Sequence, residues 1–154
     1  MTDLKVAIVG SRRRNTLKDR RIVYDLARDL NQLSPGNVVV VSGGCLKGAD
    51  KFAEEAADIN KMPKTIFPIA KFPEPKSKWE FTERAYARNQ LIADECDIMY
   101  ALVHHDRSGG TEDAARRTRA LGKPVVLIDE YGEQFETLVT PGELGCEKES
   151  TDPS

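Results

Sequence analysis

The 154-residue sequence lacks the features that mark membrane, secreted and cysteine-zinc proteins. No stretch approaches the ~20 consecutive apolar residues of a membrane-spanning helix. The first residues, Met1-Thr2-Asp3-Leu4-Lys5-Val6, run straight into a strand-like segment, so no signal peptide is expected. The expected setting is the cytoplasm, with no membrane partner. The three cysteines, Cys45, Cys96 and Cys146, are odd in number and form no CxxC pair, which argues against a disulfide framework and against a cysteine-based zinc site. Aromatic residues are only 6% of the chain, leaving few platforms for stacking single-stranded nucleic acid, so nucleic acid is not an expected partner. There is no internal repeat.

Charge is present but unevenly placed. The formal net charge is -2, yet residues 129–154 hold eight acids and one base, and residues 1–128 hold 22 bases and 17 acids. A basic body of net +5 thus precedes an acidic end of net -7. The body favours anionic ligands, although a solvated basic surface accounts for the charge equally well.

The pattern alternates short apolar runs with amphipathic segments. Lys5–Val9, Val38–Val41, Thr65–Ile69, Ile98–Val103 and Val125–Ile128 are rich in β-branched residues without polar alternation, as strands buried on both faces are. Between them, helical spacing joins Ile22, Val23, Leu26, Ala27, Leu30 and Leu33; Ala49, Phe52, Ala53, Ala56 and Ala57; Phe81, Ala85, Ile92 and Ala93; and Ala114, Ala115, Thr118 and Leu121. Thr16 with Asp19 has capping-box spacing, Thr111 is placed to cap the fourth helix, and Gly122 sits where a helix-ending glycine belongs. Repeated β-α units with right-handed crossovers predict an α/β, Rossmann-like three-layer sandwich around a five-stranded parallel sheet of order 3-2-1-4-5. The expected division is a nucleotide-binding domain over residues 1–130 and an acidic C-terminal extension over residues 131–154. Ligands of such sheets sit at the carboxyl ends of the strands near the point where the order reverses, so the loops after strands one, two and four are the places to search.

The loop after strand one is Gly10-Ser11-Arg12-Arg13-Arg14. Its glycine permits close backbone approach, its hydroxyl can meet a phosphate oxygen, and its guanidinium groups fork onto one. A glycine turn with solvated arginines reads the same way. After strand two, Ser42-Gly43-Gly44-Cys45-Leu46-Lys47-Gly48-Ala49-Asp50 puts three glycines ahead of a helix N-terminus, where free N–H groups and the helix dipole favour an anion. It is neither a Walker A loop nor GxGxxG. Asp50 serves there as a ribose acceptor or as a helix cap. On helix three, Arg84 and Arg88 share a face with Asn89 beside it, either as a ligand clamp or as a solvated surface, and Trp79, Phe81 and Tyr86 lie nearby as packing residues or a stacking platform. After strand four, Ser108-Gly109-Gly110-Thr111 repeats the anion-site logic. The preceding His104-His105-Asp106 looks like metal chemistry, but adjacent histidines in a strand-like segment point to opposite faces, so no metal is expected.

Taken in order, Gly10-Ser11-Arg12, Gly43-Gly44-x-x-x-Gly48-Ala49-Asp50, Arg84-x-x-x-Arg88-Asn89, and Ser108-Gly109-Gly110-Thr111 with Gly122-Lys123-Pro124-Val125 resemble the SLOG superfamily, particularly its YspA/YpsA-related branch. The resemblance spans about residues 5–128. It implies a Rossmann-like domain that binds a nucleotide or nucleotide-derived small molecule, needs no cofactor and forms a homo-oligomer. Relatives of this group include DprA, which binds single-stranded DNA, and the LOG phosphoribohydrolases, which cleave the N-glycosidic bond of nucleoside monophosphates. The LOG motif PGGxGTxxE places a glutamate three positions after its threonine, where this chain has Ala114. Glycosidic cleavage benefits from a carboxylate near the sugar, and Glu112, Asp50 or Glu83 would have to substitute. The ligand-binding set is then Gly10, Ser11, Arg12, Gly43, Gly44, Lys47, Gly48, Asp50, Arg84, Arg88, Asn89, Ser108, Gly109, Gly110 and Thr111. If the site hydrolyses its ligand, Arg88 and Glu112 are the expected catalytic pair.

Overall fold

The structure is a computed structural model that describes residues 3–107 and 109–137. In chain order its elements are β1 (Leu4–Gly10), α1 (Leu17–Leu33), β2 (Val38–Ser42), α2 (Ala49–Ile59), β3 (Lys64–Ile66), α3 (Lys78–Glu95), β4 (Ile98–Leu102), α4 (Gly110–Ala120), β5 (Val125–Ile128) and β6 (Gln134–Thr137). They form one six-stranded sheet of order β3-β2-β1-β4-β5-β6. β1 to β5 are parallel in the expected order, and β6 adds an antiparallel edge.

Alternate residues of each strand serve opposite faces. Val6, Ile8, Val38, Val40, Leu102 and Ile128 pack with Val23, Leu26, Ala53 and Ala56 of α1 and α2 on one side. Ala7, Val9, Val41, Met99, Ala101, Val125 and Leu127 pack with Ile92, Ala114 and Ala115 of α3 and α4 on the other. A sheet covered on both faces accounts for the continuous apolar runs of its central strands. α1 begins at the expected capping box, with Thr16 Oγ1 accepting from Asp19 N at 3.1 Å and Asp19 Oδ2 accepting from Thr16 N at 3.2 Å.

Four features differ from the sequence reading. The sixth strand comes from residues assigned by charge to the extension: Asp129 Oδ1 accepts from Tyr131 N and Glu133 N, both at 2.9 Å, and Gly132 at φ 85° completes a hairpin that returns the chain along β5. Residues 138–154 of the extension lie outside the described residues. β3 closes at Ile66, ahead of Pro68, which has no N–H for a ladder. α3 buries Asn89, Ile92 and Ala93, while Phe81, placed in the core stripe by spacing, is exposed. α4 starts two residues earlier than expected, with Gly109 as its N-cap and Thr111 buried inside its first turn.

The turn out of β1 requires a glycine. A Cβ at Gly10 would lie 2.7 Å from Ala49 Cβ and 3.0 Å from Leu102 Cβ, so the missing side chain lets the start of α2 close onto the ends of β1 and β4. Gly10→Ala is expected to lower stability by about 1–3 kcal/mol through overpacking. Urea unfolding measures this directly, and an unchanged midpoint would mean that the contact relaxes at no cost.

Candidate functional site

The loops after β1, β2 and β4 meet at the carboxyl ends of the central strands. The three arginines after β1 separate. Arg12 is exposed to solvent. Arg13 forks onto Asp106 of the β4–α4 loop, with Nη1–Oδ2 at 2.9 Å and Nη2–Oδ1 at 3.0 Å. Arg14 is buried and bonds Asp19, Val103 O, Ile128 O and Asp129 O. Ser11 Oγ is occupied within its own turn, accepting from Arg13 N at 3.1 Å.

Arg88 and Asn89, consecutive on α3, strap the other two loops together. Arg88 Nη1 donates to Gly43 O, and its Nε donates to Asn89 Oδ1 at 3.1 Å. Asn89 Nδ2 donates to Gly110 O at 3.2 Å and to Asp113 Oδ2 at 3.0 Å. Gly43 has to be glycine for this approach, since a Cβ there would lie 2.5 Å from Arg88 Nη1 and 2.8 Å from Asp50 Oδ2. Asp50 lies in the first turn of α2 and accepts from Cys45 N at 3.2 Å; burial pushes its carboxyl up to about 6, against the opposing pull of that N–H and of Arg88. Burial likewise lowers the Arg88 guanidinium, with Asp50 working against it. Gly48 caps α2, and its N–H is held by Asn15 Oδ1 at 2.9 Å. Lys47 is exposed beside it.

At the second glycine loop, Gly109 has φ 94° and caps α4 without a side-chain hydrogen bond. A Cβ on Gly109 or Gly110 would meet nothing within 4 Å. The first turn of an α-helix carries N–H groups without intrahelical partners, so this is an open, positively polarised end. Ser108 lies outside the described residues.

The structure does not bring all the sequence-predicted residues to one point. Arg84 is engaged by Ala70 O at 3.2 Å and Glu80 Oε2 at 2.9 Å, so it secures the 70–77 loop and does not pair with Arg88 around one anion. Glu112 is held in a two-pronged ion pair by Arg107, whose guanidinium also lies 5.9 Å from the Phe135 ring centroid. The two histidines do not point to opposite faces. β4 ends at Leu102, and His104 and His105 lie in the turn beyond it with ring centroids 4.1 Å apart. The alternation of a strand no longer governs them there. A hollow of about 450 Å³ opens at the β2–α2 loop, lined by Gly44, Cys45 and Leu46 of that loop together with Lys51, Glu54 and Lys64. Its carboxylates make it a poor anion site.

Sequence reasoning missed Arg14, Asn15 and Arg107. Arg14 stood as one of three equivalent arginines, and only its closeness to the capping box at Thr16 and Asp19 set it apart.

No family model matches the chain, and no curated protein does. Solved structures that share its fold include the following. DNA processing protein A (DprA) from Streptococcus pneumoniae is 21% identical with a TM-score of 0.65, over 82% of this chain and 50% of that one. The molybdenum cofactor binding protein of the phototrophic bacterium Rippkaea orientalis is 20% identical with a TM-score of 0.61, over 84% and 78%. The molybdenum cofactor carrier protein of Chlamydomonas reinhardtii is 15% identical with a TM-score of 0.61, over 84% and 79%. The chain therefore spans half the length of the DprA structure. At these identities the likeness is one of fold, and it agrees with the Rossmann-like architecture expected from the sequence.

Proposed function

We propose that the protein binds a nucleotide or nucleotide-derived small molecule, with the ligand's phosphate at the amino end of α4 and the rest of the ligand along the Gly43–Gly48 loop. The observation that carries this reading is the end of α4: a glycine cap, free space for a Cβ at Gly109 and Gly110, and a strap from Arg88 and Asn89 that holds this end to the other glycine loop. Exposed Arg12 and Lys47 supply mobile positive charge at the rim. That two proteins of the same fold bind or carry the molybdenum cofactor supports a small-molecule ligand. Binding without turnover is favoured because the carboxylate nearest to a hydrolytic role, Glu112, is neutralised by Arg107.

Thermal shift against a panel of nucleoside mono- and diphosphates, with chromatography for released base, tests the reading. One member or more is expected to raise Tm without release of base. Free base that disappears in Glu112→Ala would convert the reading to an N-glycosidase. In Gly110→Asp a carboxylate occupies the open helix end, where it complements the dipole and repels phosphate. Ligand affinity is expected to fall at least about tenfold while the ligand-free Tm holds or rises; unchanged affinity would remove the phosphate from α4.

Self-association belongs to the same proposal. α3 leaves Trp79, Tyr86 and Leu91 exposed, and sedimentation velocity is expected to give a homo-oligomer that Trp79→Glu weakens.

A further inference from the structure

The turn beyond β4 carries a cluster that the ligand reading does not use. His104 Nε2 and His105 Nδ1 both approach the same carboxylate oxygen, Glu130 Oε2, at 4.0 and 3.6 Å. One ligand atom from each of the three residues lies within 4.8 Å of the others. The chain has only two histidines, and both are in this cluster. The rings come from adjacent residues on a turn, and Glu130 comes from the neighbouring β5–β6 turn, so two separate segments of backbone converge on one point.

We propose that His104, His105 and Glu130 form a binding site for a divalent transition-metal ion of the zinc class. Two imidazoles and one carboxylate are a donor set suited to zinc and its neighbours, and poorly suited to calcium or magnesium, which take oxygen ligands. Tetrahedral zinc, with bonds of about 2.0–2.2 Å, holds its ligand atoms roughly 3.3–3.5 Å apart. Rotation of the exposed His105 ring and of Glu130 closes the remaining gap without moving the strands. The environment of His104 favours the same arrangement. Its Nδ1 is buried and finds no hydrogen-bond partner, although Asp106 Oδ1 lies 3.4 Å away. A metal on Nε2 leaves the proton on Nδ1, where a small rotation donates it to Asp106, the carboxylate–histidine–metal arrangement that orients such ligands. Asp106 is itself fixed by the Arg13 fork, which links the ion to the rim of the crevice.

The test uses the full chain without an affinity tag, stripped with a chelator and titrated with zinc and cobalt(II). One equivalent is expected to bind, with cobalt d–d absorption typical of nitrogen and oxygen ligands, and with both imidazole spin systems shifting together in NMR. His105→Ala, which alters a ring that is 72% exposed, and Glu130→Gln are expected to lose affinity at least tenfold while the metal-free Tm stays as in the parent. Asp106→Asn is expected to weaken binding about tenfold through His104. A thiolate-to-cobalt charge-transfer band, imidazole signals that stay in place, or equal affinity in His105→Ala would overturn the assignment. The site is independent of the phosphate reading, since Gly110→Asp is expected to leave metal affinity unchanged and the nucleotide panel is run on metal-free protein.

Discussion

Arg14→Met is expected to lower the stability of the fold by about 3–5 kcal/mol, the cost typical of breaking a buried charge pair from one side. The Arg14 side chain is 1% exposed, and its partner Asp19 is 6% exposed. Nε meets Asp19 Oδ1 at 2.9 Å, Nη1 meets Val103 O at 2.7 Å and Ile128 O at 2.9 Å, and Nη2 meets Asp129 O at 2.9 Å. One guanidinium therefore ties the start of α1 to the ends of β4 and β5. Methionine fills most of the volume but removes the guanidinium from a buried carboxylate and from three carbonyls; Ile128 O keeps Val103 N and Asp19 Oδ2 keeps Thr16 N, whereas the carboxylate loses its countercharge. Lysine should recover little, because an ammonium is a point charge and cannot span the same fork. For a chain of this length, 1 kcal/mol corresponds to roughly 2–4 °C in Tm, so a fall on the order of 10 °C is expected. The double variant Arg14→Met with Asp19→Asn, which keeps an acceptor for the capping box, should lie closer to the parent than the sum of the single changes. A cost below about 1 kcal/mol for Arg14→Met would mean that water replaces the fork without penalty.

Arg14 also shows where the sequence stops being readable. The strands and helices were legible because each central strand is an unbroken apolar run and the helices carry apolar stripes, with ends marked by pairs such as Thr16 with Asp19 and Gly122 after Leu121, although Phe81 and the start of α4 were misplaced. Local spacing carries that information. What Arg12, Arg13 and Arg14 do depends on which carbonyls and carboxylates arrive from positions about a hundred residues away, and three identical neighbours carry no local sign of the difference. β6 was hidden for a related reason. Its acidic surroundings read as a solvated end, although Asp129 and Gly132 carry a turn signal. The histidine pair was misread because the apolar run that ends in Val103 suggested strand geometry one turn too far. Of the candidate site, the glycine loops were legible as loops. The joint role of Arg88 and Asn89 was not, because helical spacing grouped Arg88 with Arg84, whereas the structure links it to its immediate neighbour.

The same strap gives the site a pH dependence with a defined sign. Asp50 is 6% exposed, and burial holds its carboxyl at about 6 against an ordinary aspartate value of 3.8. The folded state therefore binds more protons than the unfolded state between these values. Stability falls as pH rises through the window from about 4 to 6 and stays reduced above it. At 1.36 kcal/mol per pH unit the effect is about 3 kcal/mol, an upper figure because Cys45 N and Arg88 relax with the charge. Asp50→Asn keeps an acceptor for the Cys45 N–H and removes the titration. The difference in unfolding free energy between variant and parent is thus expected to grow by about 2–3 kcal/mol from pH 4 to pH 7, in favour of the variant. The ionised carboxylate also lies beside Gly43, on the loop along which the rest of an anionic ligand is proposed to run, and adds a repulsive charge there. The ratio of ligand affinity in the parent to that in Asp50→Asn is accordingly expected to fall as pH rises through about 6, a comparison in which the ligand's own phosphate ionisation cancels. Unfolding curves and ligand titrations of the two proteins at matched pH values decide the point: parallel stability profiles would assign Asp50 an ordinary acidity, and an affinity ratio that does not change with pH would remove Asp50 from the ligand's surroundings.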